Sequence, residues 1–174
     1  MIVETDRLKL RCMEPKDIDD FVRDLGDWEV QQWLALPPFP YERKDGEAFL
    51  AIVRNNHATP CPTVFVIADK ASDVALGTVA IDIDGEGNGV LGYWLGRDHW
   101  GHGYAKEAVA ALLRHAQGHP TLRHLSAVTD LENIRSQHVL ATCGLVDCGL
   151  RDRTPPSRRG STRLRRYELA IKGL

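Results

Sequence analysis

In Arg7-Leu8-Lys9-Leu10-Arg11-Cys12-Met13 charged and apolar residues alternate, and a period of two suits a strand with one buried face. Pro15 brings in a different rhythm. Ile18, Phe21, Val22 and Leu25 recur at helical spacing behind early acidic residues that complement the positive end of a helix. Residues 28–36 allow the helix to continue, but Pro37-Pro38-Phe39-Pro40 does not. A rigid turn there leads into another helix around 45–53 and suits the edge of a cleft.

After Pro60-Cys61-Pro62 the texture becomes β-rich, and residues 63–68 and 75–83 read as two strands of a hairpin. Asp84-Gly85-Glu86-Gly87-Asn88-Gly89 is a flexible turn. The next run, 90–95, is apolar enough to be covered on both faces, as a central strand is. Ala105, Ala108, Val109, Leu112, Leu113 and Ala116 then form one apolar stripe on a helix over about 104–117. Residues 124–129 return as a strand, which completes a strand–helix–strand unit with a right-handed crossover and parallel strands. Asn133 opens a further helix, and Gly144-Leu145 ends it as a glycine cap with a hydrophobic latch. Two last strands, 145–151 and 163–171, flank a Pro- and Arg-rich loop at 154–160. The order predicts an α/β fold of the α+β kind, with helices around a mixed sheet, and no repeat or linker divides it.

Composition adds limits. A length of 174 residues fits one domain, 1–174, large enough to bury a core without disulfides or metal. A formal charge of -2 gives no global attraction to nucleic acid or to an anionic membrane. No stretch approaches the roughly 20 apolar residues that span a bilayer, and the acidic start lacks a signal-peptide core, so the expected setting is the cytoplasm. The four cysteines, Cys12, Cys61, Cys143 and Cys148, form no Cys-x-x-Cys pair and suggest neither zinc nor a disulfide framework.

The chemistry centres on Trp100-Gly101-His102-Gly103-Tyr104-Ala105, which joins the apolar strand 90–95 to the helix after it. Glycines let backbone approach a ligand, and the first-turn N–H groups of a helix, with its dipole, form an anion site. A tight turn that makes room for close packing has the same signature. The third glycine of a dinucleotide fingerprint is missing, and no Gly-Lys-Ser/Thr of a P-loop occurs.

Together with Thr5-Asp6-Arg7-Leu8-Lys9-Leu10-Arg11, Leu91-Gly92-Tyr93-Trp94-Leu95 and Asn133-x-x-Ser136 through Cys143-Gly144-Leu145, this segment resembles the GNAT superfamily of N-acetyltransferases, in its RimJ/RimL-like branch. The resemblance covers nearly the whole chain. It implies a GNAT fold in which strand 90–95 parts from strand 124–129, with acetyl-CoA as cosubstrate. The pyrophosphate would lie on the backbone amides of Trp100, Gly101, His102, Gly103, Tyr104 and Ala105, where Trp100 stands in place of the usual Gln or Arg. Unpaired backbone groups of Tyr93, Trp94 and Leu95 would hold the pantetheine arm and polarise the thioester. A fixed donor facing the developing oxyanion contributes about 3 kcal/mol. For the side chains of Tyr93 and Trp94, core packing is the plainer role.

The attacking amine must lose a proton and the thiolate must gain one. The tyrosine that many relatives carry seven residues after the asparagine is replaced by Leu140. The RimJ/RimL-like branch instead implies Ser136 as the acid and contact of the coenzyme by Asn133 and Ser136, although both residues also suit capping of a helix start. Asp152 is the candidate base, with Asp82, Asp84 and Glu86, or a water chain, as rivals. His99, His102, His115, His119 and His124 show no metal-ligand spacing, and no metal is expected. The acids at 17–29 would suit a cationic amine, and the arginines at 151–166 the coenzyme 3′-phosphate or a partner, although solvated faces explain most such runs. The expected acceptor is a protein N-terminal α-amine of the ribosomal-protein type, with a small amine (polyamine, amino acid or antibiotic) as the alternative. A non-catalytic acyl-CoA sensor is the reading from another class. No membrane or direct nucleic-acid partner is expected, and a homodimer is compatible.

Overall fold

The computed structural model describes residues 1–154 and 156–170. Its strands are β1 (Val3–Glu4), β2 (Leu8–Arg11), β3 (Val64–Asp69), β4 (Ala75–Ile83), β5 (Asn88–Leu95), β6 (His124–Asp130), β7 (Val146–Asp152) and β8 (Arg163–Ala170). Helices α1 (Asp17–Gly26), α2 (Trp28–Gln31) and α3 (Arg43–His57) lie between β2 and β3. Helix α4 (Tyr104–Ala116) joins β5 to β6, and α5 (Ile134–Thr142) joins β6 to β7. The strands form one mixed sheet in the order β1-β2-β3-β4-β5-β6-β8-β7. The expected hairpin is β3–β4, and the β5–β6 pair is the parallel one.

Differences from the sequence reading are local. β1, only two residues long, pairs antiparallel with β2 and is too short to leave a periodic signal. α2 stops at Gln31, before the proline turn. α3 runs longer than its apolar periodicity because Glu42 and Asp45 close a capping box at its start. Ile171, the last residue of the expected final strand, lies outside the described residues.

Helices cover both faces of the sheet. α4 and α5 pack on one face over Leu8, Leu10, Phe65, Ile67, Val79, Ile81, Leu91 and Leu95. α1 and α3 pack on the other, with Ile18, Phe21, Leu25, Leu50 and Val53 against Val66 and Ala75. β3 feeds alternate residues to both layers, which is why its sequence is continuously apolar.

Where β2 gives way to α1, Arg11 makes a bidentate pair with Asp17, Nη1 to Oδ2 at 2.7 Å and Nη2 to Oδ1 at 2.8 Å. Both residues are almost fully buried. Removing one partner of such a pair leaves an uncompensated buried charge. Asp17→Ala is therefore expected to lower unfolding free energy by about 3 kcal/mol in urea titrations, and a loss under about 1 kcal/mol would show that solvent or Asp73 compensates Arg11.

Candidate active site

β5 pairs with β4 from Gly89↔Ile83 to Leu95↔Gly77. With β6 it pairs only at Asn88↔His124, Gly89↔Leu125 and Val90↔Ser126. Beyond Val90 the two parallel strands separate, and β6 closes its other side on β8 as far as Asp130↔Leu164. Two bonds fix the parity of β5. The Gly96 N–H donates to Leu76 O at 2.9 Å, and the Asp84 N–H to Asn88 O at 3.0 Å. Alternate residues of an antiparallel strand share a hydrogen-bonding direction. Val90, Gly92 and Trp94 therefore spend their backbone groups on β4, whereas Leu91, Tyr93 and Leu95 direct theirs into the split.

Two aromatic residues shape that split. The Tyr93 hydroxyl lies 2.9 Å from Ser136 Oγ, either hydroxyl able to donate, and 3.2 Å from the Ser136 carbonyl oxygen. Burial pushes its pKa up to about 12 against a smaller lowering by Ser136. The Trp100 indole N–H donates to Leu95 O at 2.9 Å, and the Arg135 guanidinium lies 4.8 Å over the Trp100 ring. Trp100 packs against both core layers at the end of the split.

Beside Trp100 begins α4. Gly101 and Gly103 have φ of 79° and 80°, a left-handed conformation that glycine adopts without strain. The Glu107 N–H is bonded to Gly103 O. The N–H groups of Tyr104, Ala105 and Lys106 precede that first turn and have no helical acceptor, and no side chain caps the helix. By contrast, Asp27 caps α2, and Asn133 caps α5 by accepting from the Ser136 N–H at 3.1 Å.

The one acid in the first turn of α4, Glu107, is drawn off this end. It accepts from Thr5 Oγ1 at 2.5 Å, from the Arg7 N–H at 3.0 Å and from Arg7 Nε at 2.8 Å. Burial opposes its ionisation, but these bonds and the Arg7 charge outweigh that and hold the carboxyl below its ordinary value. Arg7 also donates to His102 O at 2.9 Å and sits 4.7 Å over the Tyr104 ring, on which His102 stacks. The His102 side chain thus braces the loop, and the helix start stays electropositive.

Several candidate side chains do not line the split itself. Asp152 is exposed at the end of edge strand β7, across from Arg163, with β8 between it and β6. Asp82, Asp84 and Glu86 sit by the start of β5, the end away from the split, and Asp84 is occupied with Glu86 and Asn88 N–H groups. The Trp94 ring packs edge-on against Phe21 at 5.0 Å. Among the described residues, no group of three or more His, Cys, Asp or Glu is placed to hold a metal, and no helix is long and apolar enough to cross a membrane.

Arginines of the 154–160 loop serve the fold. Arg158 donates to Gln31 Oε1 at 2.7 Å and to Leu34 O at 2.6 Å. Arg159 bonds Gln32 and Glu132 and lies 4.4 Å over the Trp33 ring. The loop therefore straps the far side of the sheet to α2. The acids of α1 are also largely paired: Asp19 with Arg43, Asp20 and Asp24 with Arg23.

A parallel strand pair thus splits beside a glycine-opened helix that no side chain among the described residues caps. Residues 7–146 match the Acetyltransferase (GNAT) domain model. An uncharacterized N-acetyltransferase p20 of Bacillus licheniformis is 30% identical over 148 residues, 84% of this chain and 83% of that protein. The ribosomal-protein-S5-alanine acetyltransferase of Vibrio fischeri superimposes with a TM-score of 0.84 at 18% identity, over 99% of this chain and 97% of its own. RimL, the ribosomal L7/L12 α-N-protein acetyltransferase solved with coenzyme A, does so with 0.79 at 17% identity over 98% of each. The chain belongs to the GNAT acetyltransferase family.

The buried Tyr93 hydroxyl makes a pH-dependent prediction. The folded protein holds the phenol proton more tightly than the unfolded chain does, so the contribution of Tyr93 to stability is complete below pH 10 and is lost as pH rises from 10.0 toward about 12. Tyr93→Phe should remove its share of that fall, leaving those of Tyr41 and Tyr167, whose pKa values burial also raises. Urea midpoints across this range check it, and equal slopes for wild type and variant would refute it.

Proposed function

We propose that this acetyltransferase moves an acetyl group from acetyl-CoA to a primary amine by direct attack, with a protein N-terminal α-amine as the acceptor. The observation that carries the reading is the row of N–H groups of Tyr104, Ala105 and Lys106, without a partner among the described residues, beside the open edge of β5. A pyrophosphate fits the first, since backbone amides at a helix start bind anions without needing a basic side chain. Beyond it, an extended amide-bearing arm fits the Tyr93 and Leu91 backbone groups as a substitute for the missing strand partner. A Tyr93 or Leu95 N–H facing the thioester oxygen would stabilise the charge that develops there.

Ser136 is the proposed acid. Its hydroxyl is paired with that of Tyr93 at the edge of the split, so a proton given up by Ser136 is replaceable from Tyr93. Asn133 fixes Ser136 by capping α5. Asp152 remains the candidate base within this reading, as it shares the end of the sheet onto which the split opens.

Likeness to RimL and the S5-alanine enzyme supports the acceptor class. So does the exposed pair of Trp28 and Phe39 beyond α1, whose rings lie 5.5 Å apart, which suits a peptide more than a small polar amine. The same reading sets the protein in the cytoplasm.

Two measurements test this. Coenzyme A should raise the melting temperature, and Gly103→Glu, which puts an acid over the bare amides, should abolish the rise without unfolding the protein. A rise retained in the variant would remove the loop from the site. With acetyl-CoA, peptides beginning with serine or alanine should gain one acetyl group by mass, and Ser136→Ala should slow turnover at least tenfold while shifting coenzyme affinity less than threefold. Acetylation of spermidine but of no peptide would replace the acceptor class.

A further inference from the structure

Four buried side-chain atoms lack a hydrogen-bond partner among the described residues: Asp24 Oδ2, His57 Nδ1, Asp130 Oδ2 and Arg165 Nε. Three belong to groups otherwise provided for. Asp24 is paired with Arg23, Arg165 with Asp147, and the other ring nitrogen of His57 bonds Val64 O. Asp130 differs. It is 5% exposed, its Oδ1 accepts only the Glu132 N–H at 3.0 Å, and no cation pairs with it among the described residues. A buried carboxylate with one oxygen unmatched carries a desolvation cost that a cation would relieve.

Its position identifies the cation. Val90 and Ser126 are the last paired residues of β5 and β6, and Trp94 and Asp130 each lie four residues further on, flanking the split at the same level. Side chains alternate along a strand. Leu125 and Ala127 face the α4–α5 layer, so Asp130, like Trp94, turns to the opposite face, where α1, α2 and the Arg158–Arg159 strap lie. Asp130 lines a cavity of about 390 Å³ there with Glu132, Arg159, Ser161 and Arg163. Arg159 is engaged by Gln32 and Glu132, and Arg163 makes no ion pair among the described residues. The coenzyme reading places the thioester in the split, so a group entering from this face meets Asp130 beside the reacting carbon.

We infer that Asp130 Oδ2 receives the ammonium of the acceptor amine. The inference rests on the amine-acetylating reading and adds a residue that binds acceptor and leaves coenzyme binding alone. The neutral, equal-sized Asp130→Asn keeps an oxygen for the Glu132 N–H and loses only the charge. Its KM for a serine- or alanine-initiated peptide should rise at least tenfold, with the melting-temperature rise caused by coenzyme A kept within one degree. An unchanged KM, or loss of the coenzyme response together with activity, would overturn the assignment. A second readout needs no turnover. With ¹³C-labelled aspartate and coenzyme A present, the Asp130 carboxyl resonance, identified by its absence in the variant, should move on addition of butylammonium and stay still with butanol. If it moves with neither or with both, Asp130 is not the anchor. A butylammonium response with no peptide acetylated keeps the anchor and rejects the peptide acceptor.

Discussion

Backbone hydrogen bonds in a buried sheet must be made with something, and at one place in this protein the neighbouring strand does not supply them. β5 is zipped to β4 along its length, yet its bonds to β6 stop at Val90↔Ser126. The arrangement persists because the cost is spread over several side chains. Trp100 takes the Leu95 carbonyl, Tyr93 spans toward Ser136, and β6 is held by a full ladder to β8. What remains unmatched, the odd-numbered backbone groups of β5, is the part a ligand can complete. The same logic operates at α4, where Arg7 and Thr5 draw Glu107 away and leave the first-turn amides bare.

These two sets of unmet donors meet because Trp100 joins them. It follows β5 within one short turn, Arg97–His99, and it leads into Gly101 and Gly103. Its ring is wedged between the two core layers, and Arg135 from α5 closes over it. Both flanks of the split, the strand end and the α5 start carrying Ser136, are thus registered on one aromatic side chain. A separate group of contacts frames the other face. There the Arg158–Arg159 strap ties the β7–β8 loop to Gln31, Gln32 and Trp33, which encloses Asp130.

Much of this was legible in the sequence, for identifiable reasons. The alternation at 7–13, the stripe along 104–117 and the glycine-opened helix start are local signals, and each corresponds to an element of the sheet or its cover. Asn133 as a cap and Ser136 within the same first turn were also legible, since capping is a spacing of three residues. The Tyr93–Ser136 contact was not, because it joins positions 43 residues apart whose meeting depends on the strands diverging. Arginines at 158 and 159 read as a basic tail open to partners, whereas they bond Leu34 and Gln32, more than 120 residues upstream, and Arg159 also Glu132. Asp130 gave no signal at all. Only the fold buries this acid and leaves one of its oxygens unmatched among the described residues.

One ligand is expected to complete both the split strand and the bare helix start. Amide ¹⁵N–¹H spectra recorded during titration with coenzyme A examine it residue by residue. Large shifts are expected at the amides of Gly103, Tyr104, Ala105, Lys106, Tyr93 and Leu95, with those of β2 and β3 unmoved. Shifts centred on any other surface, with these six amides still, would contradict it.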